Sequence, residues 1–167
     1  MRTGPFIPPI RLPYNLVIVS EAFRQKLEQS GLRGLTFRLV MKKHIVCLHW
    51  ELWDRTAAMP AHLPIGGEGI EPEDYVLGQP HSESAAEAMG NVWEATPVVE
   101  IETRVYCERR PWDYDLCVID NGRLEESDFF KPARHGVYVS SRAQEWIRQH
   151  AGEWVRFKPT QVCREPR

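Results

Sequence analysis

The chain has 167 residues, 43% of them hydrophobic, with six Trp, six Phe and five Tyr, enough large side chains to fold as a domain without disulfide staples. A net charge of −2 excludes a generally basic nucleic-acid binder. No apolar run reaches about 18 residues, which excludes a transmembrane helix and a membrane partner.

The first 20 residues carry Pro5, Pro8 and Pro9 and lack the apolar centre of a signal peptide, so a cytoplasmic protein is expected. In that compartment Cys47, Cys107, Cys117 and Cys163 are expected to be reduced and mostly buried. None lie in a CxxC pair, so neither a zinc knuckle nor a redox motif is expected.

The first ordered unit spans residues 16 to 40, LVIVSEAFRQKLEQSGLRGLTFRLV. It aligns without a gap on residues 136 to 160, GVYVSSRAQEWIRQHAGEWVRFKPT, at an offset of 120. Val17 meets Val137, Val19 meets Val139, Ser20 meets Ser140, Leu27 meets Ile147, Leu35 meets Val155, and Phe37 meets Phe157. Each copy reads as strand, helix, strand, with Ser20 and Ser140 as helix N-caps. Gly31 suits the left-handed position after the first helix, and Gly152 follows the second. LTFRLV and VRFKP read as the closing strands. Chance similarity of two common strand–helix units is the alternative to duplication.

Residues 44 to 53, HIVCLHWELW, are dense in strand formers and are expected to extend or pair with the strand near Leu35 to Met41. Residues 57 to 80, with four prolines and four glycines, read as a long irregular loop. Ser82 to Met89 is a short helix capped by Ser82. Residues 97 to 107 alternate as one half-buried strand. Leu116 to Ile119 is another strand, and Asp120-Asn121-Gly122 reads as a hairpin turn. The expected fold is α+β: one domain over residues 1–167 with an internal duplication, a largely antiparallel sheet and few helices.

Charge is segregated along the chain. Residues 1–55 sum to +5, residues 56–103 to −9 with no Lys or Arg, and residues 104–167 to +2. The acidic block offers Glu68, Glu71, Glu73, Asp74, Glu83, Glu87 and Glu94, with Tyr75 and Trp93 as aromatic anchors, as a partner-binding surface. Its plainer reading is a solvated acidic face.

Catalytic patterns are sparse. Gly66-Gly67-Glu68-Gly69 lacks the lysine of a phosphate loop, and no GxSxG or HExxH occurs. His44, Cys47 and His49 are the best metal ligands, but on a strand His44 faces away from the other two. Cys107, beside Arg109 and Arg110, is a conceivable nucleophile that would need His81 or His135 as base. The carboxylate pairs Glu71/Glu73 and Asp113/Asp115 read as solvated loop residues. No catalytic set, metal or cofactor is therefore expected.

The stretch Ser127-Asp128-Phe129-Phe130-Lys131 leading into GVYVSSRAQEWIRQH, together with Ser20-Glu21-Ala22-Phe23 and Gly31-Leu32-Arg33-Gly34-Leu35-Thr36-Phe37, resembles bacterial polymorphic-toxin immunity proteins. Among such proteins it resembles the double-CXXCG immunity family of myxobacteria. The likeness covers about 60 residues in two pieces and departs from the family at its CxxC knuckles, where Cys107-Glu-Arg-Arg110 stands. No zinc ligands are carried over. The resemblance implies a non-enzymatic protein that binds and neutralises a cognate toxin with a basic surface. A regulatory or scaffold protein-binding module is the alternative, followed by a Cys- or metal-dependent enzyme.

Overall fold

A computed structural model describes residues 7–13, 16–47, 78–110, 113–120, 122–132 and 136–164. The chain divides into two compact units, residues 1–6 with 41–90, and residues 7–40 with 91–167. The architecture is α+β, with three α-helices and mixed sheets among the described residues.

In the larger unit, strands β1 (Ile10–Arg11), β2 (Val17–Ser20), β3 (Leu35–Leu39) and β4 (Val92–Pro97) form one antiparallel sheet in the order β1-β2-β4-β3. Val17, Ala95 and Phe37 lie across from one another, as do Val19, Trp93 and Leu39. Period-two alternation therefore sends Val17, Val19, Ala95 and Phe37 to the same side. That side meets helix α1 (Glu21–Gln29), whose Phe23 and Leu27 lie one turn apart and are buried.

The second copy lands on the same core. Strand β9 (Tyr138–Val139) leads into the long helix Ser141–Ala151, whose Ala143, Ile147 and Ala151 form its buried stripe. Phe23 meets Trp146 of that helix with ring centroids 5.6 Å apart. Five aligned apolar pairs of the two copies belong to this one cluster: Val17 and Val137, Val19 and Val139, Leu27 and Ile147, Leu35 and Val155, Phe37 and Phe157. Burying a side chain such as Phe23 or Leu27 stabilises the fold by about 2–3 kcal/mol each.

Both expected N-caps form. Ser20 Oγ accepts the Phe23 N–H at 3.3 Å and Ser140 Oγ accepts the Ala143 N–H at 3.1 Å. Ser140 also donates to Asp128 at 2.7 Å. Ser20→Ala is accordingly expected to cost about 1 kcal/mol, and Ser140→Ala closer to 2 kcal/mol, because the latter also strips a buried carboxylate of a donor. Urea unfolding of the two variants side by side checks the ranking.

The two copies differ in their strands. β2 belongs to the four-stranded sheet, whereas β9 pairs with β8 (Phe129–Pro132), which pairs in parallel with β5 (Val99–Ile101). VRFKP is not a strand; Val155 and Phe157 pack as core side chains, and Pro159 lacks the N–H a ladder needs. The chain resumes pairing as β10 (Gln161–Arg164), parallel to β7 (Asp113–Asp120).

Two further expectations change. Residues 97–107 keep their alternation, with Ile101 buried and Glu100 and Glu102 exposed, but the stretch is divided between sheets. Past Glu102 the chain leaves β5 and enters β6 (Thr103–Arg110), which pairs antiparallel with β7. The Asp-Asn-Gly segment makes no hairpin either. β7 already has β6 on one edge and β10 on the other, so no edge is left for β8. Gly122, at φ +89°, instead opens a 3-10 turn over Arg123–Glu125. Ile101, Val118 and Phe130 form a second small cluster there.

In the smaller unit the described part is residues 41–47 and 78–90. Its helix α2 (Glu83–Ala88) is capped by Ser82 as expected, the hydroxyl accepting the Ala85 N–H at 3.2 Å. Ser141–Ala151 is thus α3. Residues 44–47 form no strand: the Ile45 N–H is taken by His81 Nδ1 at 2.8 Å, and the Ile45 carbonyl accepts from Ser82 at 2.7 Å. Residues 48–53 and 57–77 of the expected strand and loop lie outside the described residues.

Candidate functional site

Three of the stretches that the resemblance singled out, around Gly31 to Gly34, Ser127-Asp128 and Ser140 to Arg142, meet at one polar node. Ser127 and Asp128 are the buried polar residues of the described chain, 4% and 5% exposed. Asp128 Oδ2 accepts the Arg33 N–H at 2.9 Å, and Oδ1 accepts from Ser140. The Asp128 backbone donates to the Arg33 carbonyl at 3.0 Å and accepts from the Ser140 N–H at 2.9 Å. Arg142 stands 3.7 Å from the same carboxylate and donates to the Gly31 carbonyl at 2.8 Å. One short segment thereby fastens the Gly31–Gly34 turn of the first copy to the helix start of the second.

The turn is shaped for that fastening. Gly31 has φ +71°, the left-handed position that ends α1. Gly34 has φ +97°, and a β-carbon there would lie 1.6 Å from Ser127 Oγ, inside the space that the hydroxyl occupies. Ser127 is held in place by bonds to the Arg33 carbonyl at 3.1 Å and the Phe129 carbonyl at 2.8 Å.

The expected acidic surface is placed only in part. Glu68, Glu71, Glu73, Asp74 and Tyr75 lie outside the described residues. Glu83 and Glu87 are exposed and four residues apart on α2, so they share one face of that helix. Lys42 reaches the other end of α2, donating to the carbonyls of Ala86 and Gly90. Trp93 and Glu94 belong to β4 in the other unit, on opposite faces of the sheet because they are consecutive. Glu94 is paired with Arg38 at 2.5 Å. Glu102 meets Arg104 at 3.1 Å, and Glu100 lies 3.9 Å from Lys131. Counting charge by blocks of sequence missed Arg38 and Lys131, which reach Glu94 and Glu100 from neighbouring strands, since such pairing depends on register.

Trp93 is engaged within its own unit. Its indole N–H donates to Glu21, and the Arg24 guanidinium lies over its ring at 4.5 Å. Arg24 also bonds Glu21 at 2.7 Å and Glu28 at 2.6 Å. Hydrogen bonds from Arg24, and next from Trp93, hold the Glu21 carboxyl below the usual glutamate range. With the folded value depressed, this contribution is full above the unfolded glutamate value and fades as pH falls through the folded one. Glu21→Gln is therefore expected to lower the melting temperature at neutral pH, with the gap to the wild type closing on acidification. A gap that stays constant down through the carboxylate range would count against the ion pair as its cause.

The remaining chemical candidates are placed as follows. His44 Nε2 lies 3.0 Å from the Gln79 carbonyl, Cys47 is exposed, and His49 lies outside the described residues. The His44 and His81 rings are 6.1 Å apart. Among the described residues no group of three or more His, Cys, Asp or Glu is placed to hold a metal. Cys107 falls on β6. Cys117 is a buried free thiol and Cys163 a half-buried one. The Cys163 thiol is pushed up by its hydrogen bond with Cys117 and then by burial. No helix among the described residues is long and apolar enough to cross a membrane.

No protein-family model, curated protein or solved structure matches the chain.

Proposed function

We propose that this protein is a cytoplasmic immunity protein that binds a cognate bacterial toxin and neutralises it. The observation that carries the reading is the node at Asp128. The motifs of the resemblance lie far apart in sequence, Gly31 to Gly34, Ser127-Asp128 and Ser140 to Arg142, and meet as one fastening between the two copies.

The binding surface of this reading is the acidic stretch from Glu68 through Glu71, Glu73, Asp74 and Tyr75 to Glu83 and Glu87. An acidic face suits a toxin whose active cleft is basic, because the charge that draws a phosphate substrate also draws the inhibitor. Trp93 and Glu94, already engaged by Arg24, Glu21 and Arg38, act as structural supports.

The test is co-expression with the toxin read from the neighbouring reading frame, followed by affinity capture. An equimolar complex and restored growth are expected. Charge reversal at Glu71, Glu73 and Asp74 should weaken capture by at least about tenfold, with a steeper loss at low ionic strength. Full protection by the reversed variant would remove the acidic surface from the reading. A stoichiometric complex with a non-toxic protein would replace immunity by a scaffold or regulatory role.

A further inference from the structure

The core of the larger unit contains a cavity of about 90 Å³. Its walls include three of the repeat-equivalent pairs, Val17 with Val137, Leu27 with Ile147, and Leu35 with Val155. It therefore lies along the seam where the two copies face each other. Native cores are packed to crystal-like density with few voids larger than a water. An apolar space of this size holds water poorly and forfeits dispersion contacts along its lining, so an apolar guest that restores them binds favourably.

The wall is buried or half-buried except at two residues, Leu12, which is 49% exposed, and Arg156. These two mark the side open to solvent. Arg156 is the charged member of the lining, and it has no ion-pair or hydrogen-bond partner among the described residues. Leu27, Ala95 and Ile147, at 4%, 2% and 2% exposure, form the buried part of the wall. An alkyl chain entering from the Leu12 and Arg156 side would meet an apolar wall.

We propose that this cavity is a binding site for a short aliphatic carboxylate, its alkyl chain between the two copies and its carboxylate on Arg156. The guanidinium supplies a charge-assisted contact at the solvent edge, where a carboxylate stays partly hydrated. The proposal does not depend on the immunity reading, and its test uses the full chain alone.

The probe is hexanoate, with hexan-1-ol as its uncharged counterpart, titrated by calorimetry. Hexanoate is expected to bind with a dissociation constant on the order of millimolar and to raise the melting temperature. Arg156→Gln should weaken hexanoate about fivefold to tenfold and leave hexanol unchanged. Ala95→Leu, which fills the cavity from β4, should abolish both. If that variant does not fold, Val137→Leu obstructs the same space from a half-buried position. Absence of hexanoate binding overturns the proposal, as does binding that Ala95→Leu or Val137→Leu leaves intact. So does equal hexanoate affinity in Arg156→Gln. Loss of a co-purifying protein in Ala95→Leu, with no hexanoate binding in the wild type, would assign the cavity to a partner's side chain instead.

Discussion

Gly34→Ala is expected to lower the stability of the larger unit by about 3–5 kcal/mol, a large share of a typical domain's total. Two costs combine. An L-residue at φ +97° is strained by about 1–2 kcal/mol, and the added methyl would sit 1.6 Å from Ser127 Oγ and 2.9 Å from its Cβ. Ser127 cannot yield cheaply, because it is 4% exposed and its hydroxyl is shared between the Arg33 and Phe129 backbones. Gly122→Ala is the matched control. It has φ +89° with nothing within 4 Å, so only the conformational cost of about 1–2 kcal/mol applies. Urea midpoints for both variants separate strain from collision, and equal losses would show that Ser127 gives way and the close approach is unimportant.

Asp128→Ala should cost about 3 kcal/mol, and the reason is what it leaves behind. The Arg33 N–H and the Ser140 hydroxyl lose their acceptor inside the protein, and a buried donor without a partner carries its full desolvation penalty. Arg142→Gln should cost less than about 1 kcal/mol, since that side chain is 58% exposed and stands 3.7 Å from the carboxylate. A double-mutant cycle of Asp128→Ala with Ser140→Ala should show coupling of about 1 kcal/mol or more. Additive losses would mean that the two residues act separately and that the fastening is not a unit.

What the sequence revealed and what it hid follow a physical line. The caps at Ser20, Ser82 and Ser140, the buried steps Phe23–Leu27 and Ala143–Ile147, and the left-handed Gly31 depend on neighbours within about one helical turn. Such signals are written locally. Sheet membership is not. β2 and β9 occupy equivalent places in the two copies, yet one is flanked by β1 and β4 and the other pairs with β8. Asp120-Asn121-Gly122 has turn chemistry, but a hairpin needs a free edge on the preceding strand, and β10 arrives from 41 residues away to take it. Charge pairing between strands is hidden for the same reason. Glu94 is answered by Arg38 across two strands, a pairing that only register reveals. Asp128 stands in the sequence only as part of a short motif, and nothing near it signals that its partners are 95 residues upstream and 12 downstream.

The offset of 120 residues between the two copies sets a timetable for synthesis. At ribosomal speeds of about 5–20 residues per second, Val17, Phe23 and Leu27 leave the ribosome roughly 6–24 s before Val137, Ala143 and Ile147 exist to cover them. Through that interval the nascent chain carries half a core and an unfastened Gly31–Gly34 turn. Its yield in a cell is thus expected to fall when chaperones that shield exposed apolar segments are depleted. Separating the copies further, by inserting residues between them, would lengthen the exposure and increase aggregation without touching any contact of the finished protein.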